Sequence, residues 1–403
     1  MTKSLDKASI APRRPGRRRI IGVGLAILGS LALLEGVAAV MTAVVNPMLD
    51  TPILRRGTLL TQQARRLASL IDTEGREEID RDLGWRYRRG FAAGHDTING
   101  AGMRTSRTYA RSPSTGKLRV AAFGDSYVYC NEVANPDTWS YLVEEGWDTE
   151  MLNYGVGGYG TDQAFLRYLR EGMDFAPDVV LIGFAPVNLR RIVNRFRGFI
   201  HPEEGPWFKP RFVLLGDTLG LIPPPVASTA DAERLIADPG FVREVGRMDH
   251  WYEPAVYQHR LYRWSPTYRL VTNFWIRLRR RYFDPDRLVD DGVFRTDSEA
   301  FRVQVAVLHA FADSVESRGA RPVVLMLPGA YDMERNAVGL RSQYDPLRRE
   351  LVRGGLEVLD PLDAFTASGT PIADFLQPGG HYSRAGNAVI AREVAEFLDL
   401  PRR

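Results

Sequence analysis

Short apolar runs of strand length recur along the second half of the chain, and amphipathic patterns with a helical period lie between them. Strands that are buried on both faces and alternate with helices are typical of parallel βαβ units. We therefore expect an α/β fold whose functional residues collect beyond the carboxyl ends of the strands. The predicted strands cover 118–123, a run that starts at 151, 178–183, 322–327 and 356–359. The predicted helices cover 138–146, 162–171 (with Thr161 as N-cap), 298–317, 344–353 and 385–398.

A long apolar stretch near the N-terminus has a different character. Residues 20–46 carry a single charged side chain, Glu35, and exceed the roughly 20 residues that a helix needs to cross a bilayer. Five arginines between positions 13 and 19 precede the stretch, which predicts a cytoplasmic N-terminus and an exported remainder. A cleaved signal peptide is the alternative, with Val37, Ala38 and Ala39 as small residues near the cleavage site. Inside a span, Glu35 indicates a partner helix; the other account is that Glu35 is protonated there, or that the segment slides and places it near the interface.

Composition narrows the range of functions. The apolar fraction of 44% and the charged fraction of 25% are those of a globular protein. A lone cysteine, Cys130, excludes an intramolecular disulfide framework, and the histidines lack paired ligand spacing, so no metal or cofactor is expected. Seven of the 53 basic residues lie in the first 19 positions, and without that tail the net charge of +4 becomes slightly negative. The basic character therefore does not indicate nucleic-acid binding.

Two segments fall outside the βαβ pattern. Residues 50–80 read as a polar helical connector, and 82–115 are glycine-rich and loop-like. A long interruption at about 190–295 is too long for a structureless loop and predicts a helical insertion or cap. Its many aromatic and arginine residues fit a small core of its own, one wall of a sugar-binding cleft, or a surface that contacts the membrane.

Four blocks near the ends of the predicted strands carry candidate chemistry. Ser126 follows the first strand in Phe-Gly-Asp-Ser, where a turn into a helix would expose its hydroxyl. Gly155, Gly157, Gly158 and Gly160 follow the second strand and let a backbone N–H approach a reacting oxygen. The remaining blocks, after the third strand and before the last helix, place an amide and an imidazole, those of Asn188 and His381.

The order and spacing of these blocks resemble the SGNH/GDSL hydrolase superfamily, whose four blocks contribute serine, glycine, asparagine and histidine. The resemblance covers about residues 118–398, apart from the insertion. The stretches 82–85, 97–99 and 157–163 also resemble a bacterial, membrane-anchored subgroup. The resemblance to the superfamily implies a three-layer α/β/α sandwich with a flavodoxin-like, five-stranded parallel sheet. The domains would be a basic cytoplasmic tail (1–19), a transmembrane anchor (20–46), a connector and N-terminal extension (47–115), and a hydrolase-like domain (116–403) with the insertion.

The resemblance also implies a role for each matched residue. Ser126 would attack an ester carbonyl while His381 removes its proton. The N–H groups of Ser126 and Gly158 and the amide of Asn188 would stabilise the oxyanion, with Gly157 as an alternative to Gly158.

Two positions depart from the family pattern. The usual acid lies three residues before the histidine, where this chain has Pro378. His381 would then be oriented by a backbone carbonyl or by a relocated acid, of which Asp374 is the first candidate. Leu189 also replaces the aspartate that usually follows the asparagine. Asp125 is expected to stabilise the turn rather than to act as the acid.

Together these features predict a carboxylic ester hydrolase that removes acyl groups, acetyl in the first instance, from a glycan or another cell-envelope substrate. A glycan O-acyltransferase of the same fold and a catalytically inactive glycan-binding protein are the alternatives. The expected partners are an acylated glycan, the inner membrane through 20–46 and a membrane acyltransferase, and the expected location of the catalytic domain is the periplasm or cell exterior.

Overall fold

The computed structural model describes residues 17–48, 75–94, 96–200, 207–228, 230–231, 238–367 and 369–403. Residues 1–16 of the predicted basic tail (1–19) and residues 50–74 of the predicted helical connector (50–80) lie outside the described residues.

The strands are numbered along the chain. They are β1 (Glu77–Asp80), β2 (Gly84–Tyr87), β3 (Ala92–Ala93), β4 (Asp96–Thr97), β5 (Leu118–Gly124), β6 (Thr149–Gly155), β7 (Val179–Phe184), β8 (Arg211–Leu215), β9 (Thr218–Ile222), β10 (Val289–Asp290), β11 (Val293–Phe294), β12 (Arg321–Met326) and β13 (Val358–Leu359).

The α-helices are numbered in the same way. They are α1 (Arg17–Val45), α2 (Ser126–Tyr129), α3 (Trp139–Gly146), α4 (Thr161–Glu171), α5 (Asn188–Arg191), α6 (Arg197–Ile200), α7 (Pro239–Gly246), α8 (Pro254–Tyr257), α9 (Arg260–Trp264), α10 (Pro266–Tyr282), α11 (Glu299–Glu316), α12 (Ala330–Ala337), α13 (Asp345–Arg353), α14 (Leu362–Ala367) and α15 (Arg384–Phe397).

Five parallel strands form the central sheet in the order β13-β12-β7-β5-β6. Counted along the chain this is 2-1-3-4-5, the flavodoxin-like order. The predicted fold class and the predicted strands are therefore confirmed. The strand order reverses between β5 and β7, so the carboxyl ends of these two strands and of β6 border the crevice where ligands bind in such sheets.

Helices cover both faces of this sheet, as the continuous apolar runs of its strands require. Helices α3 and α15 pack together on one face, and α4 packs with α11 on the other. Between them β5 is buried from Val120 to Phe123, and the Phe123 ring stacks on that of Tyr154 at 4.6 Å. The prediction of Thr161 as an N-cap is wrong by one residue, because Gly160 caps α4 and Thr161 is its first residue.

The segment that precedes the sheet contains strands where the sequence predicted connector and loop. Hairpin β1–β2 includes residues assigned to the helical connector and to the loop. Its hydrophobic face packs onto the glycine loop after β6, in a cluster that includes Trp85, Tyr87, Val156 and Tyr159. The strands are only four residues long, too short for a clear alternating pattern, which explains why the sequence did not reveal them.

Among the described residues, α1 is long and apolar enough to cross a membrane. It packs against α10 of the insertion. The hydroxyl of Ser265 donates to Glu35 Oε1 (2.5 Å), and the Thr267 N–H donates to Glu35 Oε2 (3.0 Å). A carboxylate that accepts bonds at the first turn of a helix also interacts favourably with the helix dipole. Of the two accounts for Glu35, the structure therefore provides the partner helix.

The insertion contains the predicted helices together with an antiparallel hairpin, β8–β9. It has its own small core around Phe196, Phe199, Phe208 and Phe241. Other aromatic residues, among them Trp264 and Trp275, are exposed. The aromatic content of the insertion therefore serves only partly as a core.

Candidate active site

Ser126 lies at the point where β5 turns into the short helix α2. Asp125 caps that helix, since its Oδ1 accepts a hydrogen bond from the Tyr127 N–H (2.9 Å). The helix lies so close to the strand ends that a Cβ at Gly155 would be 2.2 Å from the Tyr129 nitrogen. Glycine at this position therefore lets the turn present Ser126 at the carboxyl edge of the sheet.

His381 comes from the loop before α15 and meets Ser126 at that edge. Its Nε2 is 2.9 Å from Ser126 Oγ, within the hydrogen-bond distance that a nucleophile and its base require. The loop is held by hydrogen bonds from the Gln377 N–H to the His381 carbonyl (2.7 Å) and from the Gly380 N–H to the Gln377 carbonyl (2.8 Å). The two blocks that are farthest apart in the sequence thus come together.

The carboxylate that contacts the imidazole is Glu132. Its Oε2 is 2.7 Å from His381 Nδ1, the nitrogen opposite the one that faces the serine. The sequence left a backbone carbonyl or a relocated acid, with Asp374 as first candidate, for this position. The structure has a relocated acid here, but it is Glu132 and not Asp374. Asp374 is exposed, and its main-chain carbonyl accepts a bond from the Ser383 hydroxyl (2.7 Å). Glu132 lies six residues after the serine and 249 residues before the histidine, far in sequence from the position three residues before the histidine that the family's acid usually occupies.

The surroundings of Glu132 explain how the carboxylate reaches the ring. Its Oε1 accepts from the Gly379 N–H (3.0 Å), and a Cβ at Gly379 would be 2.2 Å from that oxygen. Glycine next to Pro378 is thus required for the approach of Glu132. On the other side Arg104 donates to the Val133 carbonyl (2.8 Å) and to the Tyr129 hydroxyl (2.9 Å), which fixes the segment that carries Glu132.

The protonation of Glu132 follows from these contacts. Partial burial alone would raise its pKa, but hydrogen bonds from the His381 ring, the His381 N–H and the Gly379 N–H outweigh burial and lower the pKa below its ordinary value. Glu132 is therefore an anion at neutral pH and accepts the Nδ1 proton. The Nε2 lone pair of His381 then points toward the serine hydroxyl.

A pH dependence of stability follows. Because the pKa of Glu132 is lower in the folded chain, its contribution is complete above the ordinary value of 4.5 and is lost as the pH falls below it. We expect Tm to fall between about pH 5 and pH 3, and Glu132→Gln to lessen that fall. Thermal unfolding of both proteins across this range checks it. Parallel Tm curves for the two proteins would contradict it.

A buried ion pair stabilises the turn that carries Ser126. Asp125 Oδ2 is 3.0 Å from Arg191 Nη1, and neither side chain is more than 9% exposed. Arg191 also donates to the Tyr159 carbonyl (3.0 Å) in the glycine loop. The expectation that Asp125 stabilises the turn is met by these contacts. Arg191 thus ties the serine turn to the glycine loop.

Removal of Arg191 should be costly, because it leaves the Asp125 carboxylate buried without its partner. For Arg191→Met we expect the free energy of unfolding to fall by about 3–5 kcal/mol. Denaturant unfolding of the full chain in detergent measures this loss. The exposed Arg353→Met should change it by less than about 0.5 kcal/mol. An Arg191→Met loss below about 1 kcal/mol would show that the ion pair does not hold the turn.

The candidate oxyanion donors lie around the same edge. The Gly157 N–H donates to the Tyr87 hydroxyl (2.8 Å), whereas the Gly158 N–H meets no acceptor within the described part of the protein. Gly158 has a positive φ of 81°. The carbonyl of the preceding residue, Gly157, accepts a hydrogen bond from Trp85 Nε1 (3.2 Å). The N-terminal extension thus fixes the glycine loop, and between the two alternatives Gly158 retains an available donor.

Asn188 is buried beside Asp125. When its amide is oriented so that both ends are satisfied, Nδ2 donates to the Tyr159 carbonyl (3.2 Å) and to Asp125 Oδ2 (3.3 Å), and Oδ1 accepts from the Ala185 N–H (3.2 Å). In this arrangement Asn188 belongs to the network that holds Asp125. Its role as an oxyanion donor stays a prediction, as does that of Gly158.

No family model matches the sequence, and no curated protein shows significant similarity. Among solved structures, an acetylxylan esterase from Geobacillus stearothermophilus is similar at 12% identity and a TM-score of 0.35, over 70% of this chain and 94% of that one.

Two further structures show the same degree of likeness. A lipase/acylhydrolase from Enterococcus faecalis has 13% identity and a TM-score of 0.33 over 71% of this chain and 98% of its own. A GDSL-like lipase from Bacteroides thetaiotaomicron has 8% identity and a TM-score of 0.35 over 72% and 92%. At these identities the neighbours specify no substrate for this chain.

The site itself defines a chemical class. A hydroxyl, an imidazole and a carboxylate are connected in series by hydrogen bonds of 2.9 Å and 2.7 Å. This is the geometry of a Ser–His–Glu triad, which recurs on unrelated folds and is recognised by its geometry.

Proposed function

We propose that this protein is a serine esterase of the SGNH/GDSL type that removes acyl groups from a glycan or another cell-envelope ester. Ser126 Oγ attacks the ester carbonyl and its proton passes to His381 Nε2. The tetrahedral intermediate collapses, and the imidazolium returns the proton to the leaving alcohol. Water, deprotonated by His381, then hydrolyses the acyl-serine and frees Ser126 and the carboxylic acid.

The observation that carries this proposal is the continuous contact from Ser126 Oγ through His381 to Glu132. Serine is a poor nucleophile at its own pKa and needs an adjacent base. The imidazole is that base, and the anionic Glu132 stabilises the imidazolium that forms. The N–H groups of Ser126 and Gly158 are the donors that we assign to the oxyanion, each with an expected contribution of about 2.7–4 kcal/mol to the transition state.

Labelling with a fluorophosphonate tests the nucleophile. We expect the purified full chain in detergent to form one covalent adduct at Ser126, and His381→Ala to label far more slowly because the base is lost. A protein that neither forms this adduct nor hydrolyses p-nitrophenyl acetate would instead fit an inactive glycan-binding protein.

A second assay separates hydrolysis from transfer. The enzyme is given an acyl donor with and without a glycan acceptor, and free acid is compared with acylated glycan. A hydrolase releases mainly free acid in both reactions. An excess of acylated glycan would replace the esterase by an O-acyltransferase.

We also propose a location and a domain division. The length and apolar character of α1, together with the five arginines between positions 13 and 19, support a single-pass anchor over 20–46 in the inner membrane with a cytoplasmic tail (1–19). The extension within 47–115 and the hydrolase-like domain (116–403) would then face the periplasm or the cell exterior, apart from the start of α10, which contacts Glu35 within the span. A membrane acyltransferase as partner stays a prediction. Protease protection of the C-terminal domain in intact spheroplasts would contradict this orientation.

A further inference from the structure

A large cavity lies mainly within the insertion and is bordered on one side by α12. Its volume of about 910 Å³ is near the upper end of the roughly 300–1,000 Å³ that is typical of ligand sites. Its walls come from α6, residues 251–262, the second half of α10, residues 287–292 and the start of α12, together with Arg190. It therefore has room for more than the small acyl group that a simple esterase must hold.

Two residues of the cavity wall come after the central strands β7 and β12, but Ser126, Glu132 and His381 do not line the cavity. One of its walls is Arg190, which follows Asn188 by two residues at the carboxyl end of β7. Another is Tyr331, which follows Gly329 by two residues after β12. A Cβ at Gly329 would be 3.8 Å from the hydroxyl of Tyr127, the residue next to Ser126. A glycan bound in the cavity therefore has to extend beyond its walls to bring an acyl group to Ser126.

Positive charge dominates the lining, with six arginines against three carboxylates. Two of the carboxylates are already paired: Glu253 with Arg279 and Arg280, and Asp290 with Arg287. Arginine presents a planar fork of donors that matches carboxylate and phosphate groups. The excess of guanidinium groups therefore fits an anion and repels a cation.

Aromatic rings complete the lining. The Trp251 ring lies next to two guanidinium groups, those of Arg190 (5.1 Å) and Arg280 (4.8 Å). Its Nε1 donates to the Arg190 carbonyl (2.8 Å), which ties the insertion to the segment after β7. Aromatic faces suit the apolar faces of sugar rings. Together, rings and arginines fit a charged glycan better than a neutral one or a simple aliphatic ester.

We propose that this cavity binds a negatively charged glycan, with carboxylates on its sugars or phosphodiesters in its backbone, and places an O-acyl group of that glycan at Ser126. Only the placement of an O-acyl group at Ser126 rests on the proposed esterase function. Binding of the anionic glycan by the cavity stands on the lining itself and is measured separately.

The test uses two double variants of the full chain in detergent. Arg277→Gln with Arg281→Gln removes two cavity arginines four residues apart on α10. Arg349→Gln with Arg353→Gln is the matched control, since these arginines have the same spacing on α13 and are 51% and 71% exposed. In the Ser126→Ala background, calorimetry measures binding of oligogalacturonate, poly(glycerol phosphate) and a neutral xylo-oligosaccharide.

We expect at least one of the two anionic polymers to bind more tightly than the neutral oligosaccharide. The cavity variant should weaken that binding roughly tenfold, as should 0.5 M NaCl, and the control variant should not. The anion that binds distinguishes carboxylate from phosphodiester recognition. Equal binding of neutral and anionic ligands, or equal losses in the two double variants, would overturn the proposal.

Kinetics test the connection to catalysis. With serine-active protein, the cavity variant should raise KM for the acetylated form of the preferred anionic polymer roughly tenfold, and the Arg349→Gln/Arg353→Gln control should leave that KM unchanged. A protein that hydrolyses no ester but binds the anion would refute the esterase and retain the anion site. A protein that hydrolyses p-nitrophenyl acetate but treats neutral and anionic polymers alike would refute the anion site alone.

Discussion

Ser126→Ala should abolish ester hydrolysis while the fold is retained. The substitution removes the proposed nucleophile, the Ser126 hydroxyl that lies 2.9 Å from His381 Nε2. The rate of hydrolysis should therefore fall by at least about 10³-fold. The residual rate reflects binding and oxyanion stabilisation without covalent chemistry. The measurement is kcat/KM for p-nitrophenyl acetate, with circular dichroism and Tm as the record of folding.

Ser317→Ala is the matched control, because Ser317 is an exposed serine at the C-terminal end of α11 and bonds only locally to the Ser314 carbonyl (3.0 Å). It should retain wild-type kcat/KM and label with fluorophosphonate at the wild-type rate. If Ser126→Ala keeps more than about a tenth of the wild-type activity, the hydrolysis proceeds through another nucleophile and the proposed mechanism is wrong. Cys130 is not a replacement, since burial raises the pKa of its thiol to about 12.

The sheet could be predicted because its strands are buried on both faces. Such strands read as uninterrupted apolar runs of strand length, and each of the five runs coincides with a strand to within about three residues. The contact of Ser126 with His381 followed from the same rule, since residues after parallel strands and before the last helix share one edge. The family blocks then supplied the roles that strand positions alone do not.

Glu132 could not be found by the same reasoning. It follows a short helix on a segment where Cys130 and Glu132 both have positive φ, of 63° and 71°, and no periodic pattern describes such a turn. The family pattern pointed elsewhere, to the residues before His381. The sequence did contain one signal, the glycine at 379 next to Pro378, but its meaning depends on the carboxylate that approaches it from 247 residues away.

The N-terminal extension was missed for a different reason. Its strands are short and pair only with each other, so their burial depends on the glycine loop that they cover. The packing of Trp85 and Tyr87 on that loop is a tertiary effect, which local propensity does not encode. The Tyr87 hydroxyl nevertheless decides which glycine keeps a free N–H, so this extension contributes directly to the geometry of the site.

Glu132→Gln should reduce kcat by about 10²–10³-fold with little change in KM. The carboxylate accepts the Nδ1 proton of His381 and stabilises the imidazolium, and a neutral amide does the second task poorly. An amide can also present its NH₂ group to Nδ1, which favours the tautomer in which Nε2 carries the proton and cannot accept one from Ser126. The loss should be smaller than for a fully buried acid, because the Glu132 side chain is 33% exposed and water substitutes in part.

Asp374→Asn distinguishes this assignment from the one that the sequence favoured. Asp374 is an exposed carboxylate on the same loop region, so its removal changes the charge near His381 by the same amount without touching Nδ1. We expect it to lower kcat by no more than about twofold, because an exposed charge is screened by solvent. Steady-state kinetics of the two variants, at one pH and ionic strength, decide the matter. A larger loss for Asp374→Asn than for Glu132→Gln would mean that the loop rearranges when substrate binds and that the acid is exchanged, since only a different position of residues 376–381 could bring Asp374 to the ring.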